Sequence, residues 1–201
     1  MTTKTNQRMS VSTMTKVAML SVIAFILMLI ELPLPIFPGF LKIDLSDVPA
    51  LIAGFALGPV AGIAVEAIKN ILHLLRTTTG GVGELANFII GSALVLPSAI
   101  LYTRHKSRNS AIIGLGIGTV LMAAAGALAN YYVLIPFYTN FMPIDAIVAM
   151  GTVVNSNITS VVSLILFGIV PFNLFKGLVI ALFTMLLYKR ISPILSKRSN
   201  G

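Results

Sequence analysis

Residues 17–30 and 111–129 run without a single charged side chain, and no other feature restricts so severely what this chain can fold into. In hydrocarbon every backbone N–H and C=O must find its partner within the protein, which leaves helices and closed barrels as spanning structures. Barrel strands alternate apolar and polar residues over about ten positions, and these runs do not alternate. Membrane-embedded helices are therefore the prediction. Composition agrees: 57% of the residues are hydrophobic and 10% charged, where a soluble domain has roughly 25% charged residues to wet its surface.

Apolar segments lie near residues 14–32, 48–57, 59–75, 84–103, 111–136 and 171–188, giving an all-α membrane protein of six transmembrane helices. The second segment is short for a bilayer core that takes about 20 helical residues, and Gly58-Pro59 breaks it from the third. Residues 143–168, diluted by Pro143, Asp145, Asn155 and Asn157, read as a broken, partly re-entrant segment. If the N-terminus is cytoplasmic, Lys4, Arg8, Lys16, Arg104, Lys106, Arg108, Lys189, Arg190, Lys197 and Arg198 all fall inside, ten of the fourteen basic residues. Both termini inside requires an even number of crossings. This divides the chain into a cytoplasmic tail 1–13, a membrane domain 14–190 and a cytoplasmic tail 191–201, in a multi-pass protein of the plasma membrane, of bacterial type. A cleaved signal peptide is the rival account of residues 1–30, but no small-residue cleavage site precedes Pro33, Pro35 and Pro38.

Without cysteine, thiolate chemistry, iron-sulfur clusters and Cys-type zinc sites are excluded. His73 and His105 lack acidic neighbours at metal-ligand spacing, so no metal site is expected and a structural or interfacial role is the simpler reading. The formal charge of +8 comes from residues flanking apolar segments, which cytoplasmic retention explains without nucleic acid.

Polar residues at membrane depth face a cavity or a neighbouring helix. Lys176 follows Asn173 by one turn, on one face at the expected outer start of the sixth helix, where the dipole disfavours a cation. An acid, an electron-rich ligand or snorkelling to the interface would account for it. Asn130, behind the small-residue run 123–129, fits either an interhelical hydrogen bond or a ligand. Asn87 lies one turn after Glu84, behind the glycine-rich loop 77–83, which is either a plain turn or backbone exposed beside a ligand. Glu66 and Lys69, at i and i+3, suit a structural pair better than a proton relay. The loop 32–51, with Pro33, Pro35, Pro38 and Pro49 and with Phe37, Phe40 and Leu41, is either an interfacial anchor or the cover of an outward-facing ligand pocket.

FPGFLKIDLSDVPAL after the first helix, GPVAGIAVEAIKN, GELANFIIG, AAAGALANYY and PFNLFKG, in this order over residues 14–190, resemble the riboflavin-binding S components of energy-coupling factor (ECF) transporters. The resemblance implies a binding subunit, not an enzyme and without a cofactor, that captures riboflavin outside. Delivery would run through a transmembrane coupling protein and two cytoplasmic ATPases. It assigns ligand contacts to Leu41, Gly83, Asn130, Asn173 and Lys176, with Phe40, Arg76 and Asn87 as secondary candidates. An Asn side chain offers the donors and acceptor that a flavin pyrimidine edge requires. Partner docking would use small residues of the first helix, Ala18 and Ser21, although Val22 stands where the family's AxxxA pattern has its second small residue. Another vitamin, or a flavin phosphate such as FMN held by Arg76, is the nearest alternative. A membrane-embedded enzyme with an outward site is the more distant one: it would need a nucleophile, paired carboxylates or metal ligands in its pocket, and the acids on the outer side are Glu31, Asp44, Asp47, Glu84 and Asp145, of which only Asp44 and Asp47 are closely spaced.

Overall fold

The computed structural model describes residues 10–196, with side-chain surroundings to residue 190. Residues 1–9 and 197–201 of the expected tails 1–13 and 191–201 lie outside this range, and with them Lys4, Arg8, Lys197 and Arg198, while residues 191–196 continue the last helix. The described chain is mostly helical: α1 Val11–Met28, α2 Asp47–Leu57, α3 Pro59–His73, α4 Val82–Arg104, α5 Arg108–Tyr138, α6 Ile144–Thr152 and α7, which begins at Val161 and continues to Ser196. Four of these, α1, α4, α5 and α7, are long and apolar enough to cross a membrane. The helix α2 is apolar but shorter.

Local sequence explains the boundaries. Ser10 caps α1 and Ser107 caps α5, each hydroxyl accepting from the backbone N–H three residues on. Gly58, at φ 104°, takes a conformation that a side chain would strain, and Pro59 opens α3. The start of the last long helix differs from the sequence expectation. Ser160 and Ser163 form a reciprocal capping box, so α7 begins at Val161 rather than near 171. The segment 143–168 is consequently a short helix, a turn and the first part of α7.

Two long helices are widened by one residue per turn. Asn130–Leu134 in α5 and Ile165–Ile169 in α7 are π-helical, with the N–H of Ile135 donating to the Asn130 carbonyl and that of Val170 to the Ile165 carbonyl.

Two apolar clusters hold the bundle. The larger joins Leu20 and Ala24 of α1, Leu51 and Phe55 of α2, Val65 of α3, Leu94 and Val95 of α4, Met122 of α5 and Ile180 of α7. Close approach of α4 and α5 needs Gly118, where a Cβ would stand 2.5 Å from the Leu94 carbonyl oxygen. The smaller cluster packs Phe37, Leu41 and Ile43 of the loop after α1 against Ile135, Ile147, Ile158, Ile165 and Phe172. A two-residue antiparallel ribbon, β1 Leu32–Pro33 with β2 Lys42–Ile43, closes that loop, and the ring of Phe37 meets Phe172 edge-on at 5.3 Å. The loop is thus folded onto the bundle. At the other end of the helices Phe55, Tyr102 and Tyr188 stack, and the Tyr188 hydroxyl lies 2.8 Å from that of Tyr102.

Candidate ligand pocket

At the end opposite Tyr102 and Tyr188 the helices surround a cavity of about 290 Å³, near the lower end of the roughly 300–1,000 Å³ typical of small-molecule sites. Leu41, Gly83, Asn130, Asn173 and Lys176 all line it, as do Phe40 and Asn87. The fold brings together seven of the eight residues singled out for ligand contact. Arg76 is the exception: it is exposed in the turn Leu74–Arg76 and does not line the cavity.

Asn130 opens the π-turn of α5 and Asn173 follows that of α7 by one turn. Each amide is tied to its own helix, Asn130 Nδ2 donating to the Gly126 carbonyl at 2.8 Å and Asn173 Nδ2 to the Ile169 carbonyl at 2.9 Å. Among the described residues neither Nδ2 makes an interhelical bond, and both carbonyl oxygens are left for other donors. Gly126 lets the two helices approach here, since a Cβ would fall 2.6 Å from Asn173 Nδ2.

Lys176 is 5% exposed and lies well inside α7, so the helix-terminus argument does not apply to it. Its excuse is an acid: Nζ donates to Asp44 Oδ2 at 2.8 Å and lies 3.7 Å from Asp47 Oδ2. Asp47 also pairs with the fully buried Lys69, which sits 2.9 Å from Glu66 Oε2 and donates to Ser46 Oγ at 2.9 Å. A chain of alternating charge therefore runs from Lys176 through Asp47 and Lys69 to Glu66. Glu66 and Lys69 are the expected pair, extended by Asp47 at the start of α2 and Asp44 in the loop before it, which sequence reading left unassigned. The missed signal was electrostatic: two buried lysines in a chain with six acids require carboxylate partners.

Glu84 and His73 were missed as a pair. The fold brings the His73 ring, Nδ1, to 2.9 Å from Glu84 Oε1, across the end of α3 and the start of α4. Thr77 and Thr79 donate to Glu84 Oε2 at 2.9 and 3.2 Å, so this carboxylate pins the glycine-rich turn. Gly83 packs on Thr79, whose Oγ1 would stand 2.7 Å from any Cβ there. The turn is both structural and pocket-lining.

On α1, Ser21 faces inward: it is fully buried and its hydroxyl donates to the Val17 carbonyl at 2.8 Å, which corrects its assignment to a docking face. Ala18 is exposed beside Met14, Val22 and Ile26.

A helical membrane bundle with one end hollowed into a small-molecule pocket defines a substrate-capturing transport subunit, and the chain belongs to the family "ECF transporter, substrate-specific component", which it matches over residues 12–188. It is a membrane protein of a transporter family, not an enzyme family. The chain is 38% identical to the riboflavin transporter FmnP of Bacillus subtilis (strain 168), over 96% of this chain and 98% of that protein. It is 39% identical to the riboflavin transporter RibU of Staphylococcus aureus (strain TCH60), over 90% of each. A solved structure described as the S component of a bacterial ECF transporter superposes with a TM-score of 0.71 at 37% identity, covering 92% of this chain and 98% of that one.

Proposed function

We propose that this chain is the riboflavin-binding subunit of an ECF importer in a bacterial plasma membrane, crossing it six times with both termini cytoplasmic and the pocket facing out. Captured riboflavin passes to a module made of a transmembrane coupling protein and two ATPases. The observation that carries the reading is the convergence of Asn130, Asn173 and Lys176 on one cavity. Two amides with free carbonyl oxygens and an ammonium group complement the alternating acceptors and N–H of a pyrimidine edge. Phe40, Leu41 and Phe172 supply apolar wall for a ring system. The names of the relatives support the same ligand. Basic residues Lys16, Arg104, Lys106, Arg108, Lys189 and Arg190 gather at the helix ends away from the pocket, which supports an outward opening.

Quenching of flavin fluorescence by the purified protein tests the reading. Asn173→Ala is the cleaner variant, because Lys176→Ala also strands Asp44. Removing one partner of a buried polar edge costs about 1–3 kcal/mol, so riboflavin affinity should fall about five- to 150-fold. Binding unchanged in Asn173→Ala would overturn the site, and no riboflavin binding by the unaltered protein would overturn the ligand.

A further inference from the structure

A second hollow opens on the outside of the bundle, where the end of α3 meets the start of α4. It is a groove of about 300 Å³ walled by Ala67, Ile71 and Leu74 on one side and Leu85 and Phe88 on the other. Ile71, Leu74 and Leu85 are exposed, and Leu75, next in the chain, is 83% exposed. In a membrane protein a face of this kind is covered by lipid tails, which are as apolar as leucine. From Ala67 to Leu74 the chain rises about 10 Å at roughly 1.5 Å per residue, against about 15 Å of hydrocarbon in one leaflet. The groove therefore follows a single leaflet, with Ala67 at its deep end and Leu74 toward the headgroups.

Arg76 stands at the headgroup end, in the same turn as Leu74. It is exposed and off the ligand cavity, and cytoplasmic retention does not explain a basic residue at this end. Lys42 and Lys176, the other basic residues here, are matched by Glu31 and Asp44. Among the described residues no carboxylate pairs with Arg76. The acid on the groove wall, Glu84, is taken up by His73, Thr77 and Thr79. An unmatched guanidinium at the mouth of an apolar groove complements an amphiphile with an anionic head and a hydrocarbon tail, because its planar fork holds phosphate oxygens in pairs. A zwitterionic headgroup brings its own cation, whereas an anionic one leaves its charge for the protein to meet. Resting on the outward orientation above, we propose that this groove binds one anionic phospholipid of the outer leaflet. An acyl chain lies along Ala67, Ile71, Leu74, Leu85 and Phe88, and Arg76 holds the phosphate. Glu84 lines both hollows, so the lipid backs one wall of the ligand cavity.

Mass spectrometry of the purified full-length protein, released intact from detergent, counts the lipids it keeps when phosphatidylglycerol or phosphatidylcholine with the same acyl chains is added. The unaltered protein should keep one phosphatidylglycerol at least about fivefold more tightly than phosphatidylcholine. Arg76→Gln should bring that ratio close to one, and Arg76→Lys, which keeps the charge without the fork, should preserve part of it. Ala67→Phe, which fills the deep end, should release both lipids although Arg76 is intact. Riboflavin binding by each variant, read by fluorescence, reports that its fold is intact. Equal retention of the two lipids by the unaltered protein, or a preference undiminished in Arg76→Gln, would overturn the site. Phosphatidylglycerol kept by Ala67→Phe would overturn it too, and loss of uptake with the coupling module in that variant would then assign the groove to a partner helix. A protein that keeps the lipid but binds no riboflavin would overturn the ligand reading and leave the groove standing. Labelling from the opposite side of cysteines placed at Thr78 and Ser107 would overturn the outer leaflet as the source of the lipid.

Discussion

Lys69 has no exposed surface, and its ammonium group is held by Asp47, Glu66 and Ser46. Replacing it with methionine preserves volume but leaves two buried carboxylates facing one another. Breaking a buried ion pair from one side costs roughly 3–5 kcal/mol, so Lys69→Met should lower the midpoint of thermal unfolding in detergent by several degrees or prevent folding. An unaltered midpoint would mean that the pair carries no structural weight. The pairing of Glu66 and Lys69 was legible because both lie on one helix, one turn apart. The pairing of Lys176 with Asp44 spans 132 residues and was not, since spacing along a chain says nothing about which loop folds onto which helix. Asn130, Asn173 and Lys176 stood out as polar groups in apolar surroundings. Glu84 did not, because an acid beside a glycine-rich turn at a helix end is ordinary.

Among the helices, those of unbroken apolar character were placed by sequence to within a few residues, and α7 was misjudged because serines and threonines at 159–163 look like a loop until Ser160 and Ser163 are read as a cap. The π-turns were not legible at all: no residue type or spacing in Asn130–Leu134 or Ile165–Ile169 marks a widened turn. Helix contacts give two expectations. Gly118→Ala would push a methyl into the Leu94 carbonyl and part α4 from α5, costing about 1–3 kcal/mol in unfolding measurements. Gly118→Ala with native stability would refute the tight contact. On α1, Ala18→Trp would hold a partner helix away, so uptake with the energy-coupling module should fall while riboflavin binding stays within about twofold. Equal loss of both would place Ala18 in the fold rather than at the partner.

At the scale of the molecule the polarity of the bundle is the testable property. A cysteine at Thr78, exposed beside the pocket, should react in intact cells with a reagent that cannot cross the membrane, and one at Ser107, exposed between α4 and α5, should not. The reverse pattern would invert the molecule. Vesicles holding this chain alone should bind riboflavin without concentrating it, since a single binding equilibrium supplies no repeated drive. ATP-dependent accumulation should appear only with the coupling module, and accumulation without it would sink the importer-subunit reading. The two π-turns carry one last consequence. Each is, in effect, a single inserted residue, and the widened turn absorbs it, so deleting one residue from Ile165–Ile169 would restore the regular ladder and leave the facing of the side chains on either side unchanged. Asn173 and Lys176 would keep their places on the cavity. Loss or gain of one codon in these helices is thereby a change of length that a bundle of this kind can absorb while its pocket side chains stay where they are.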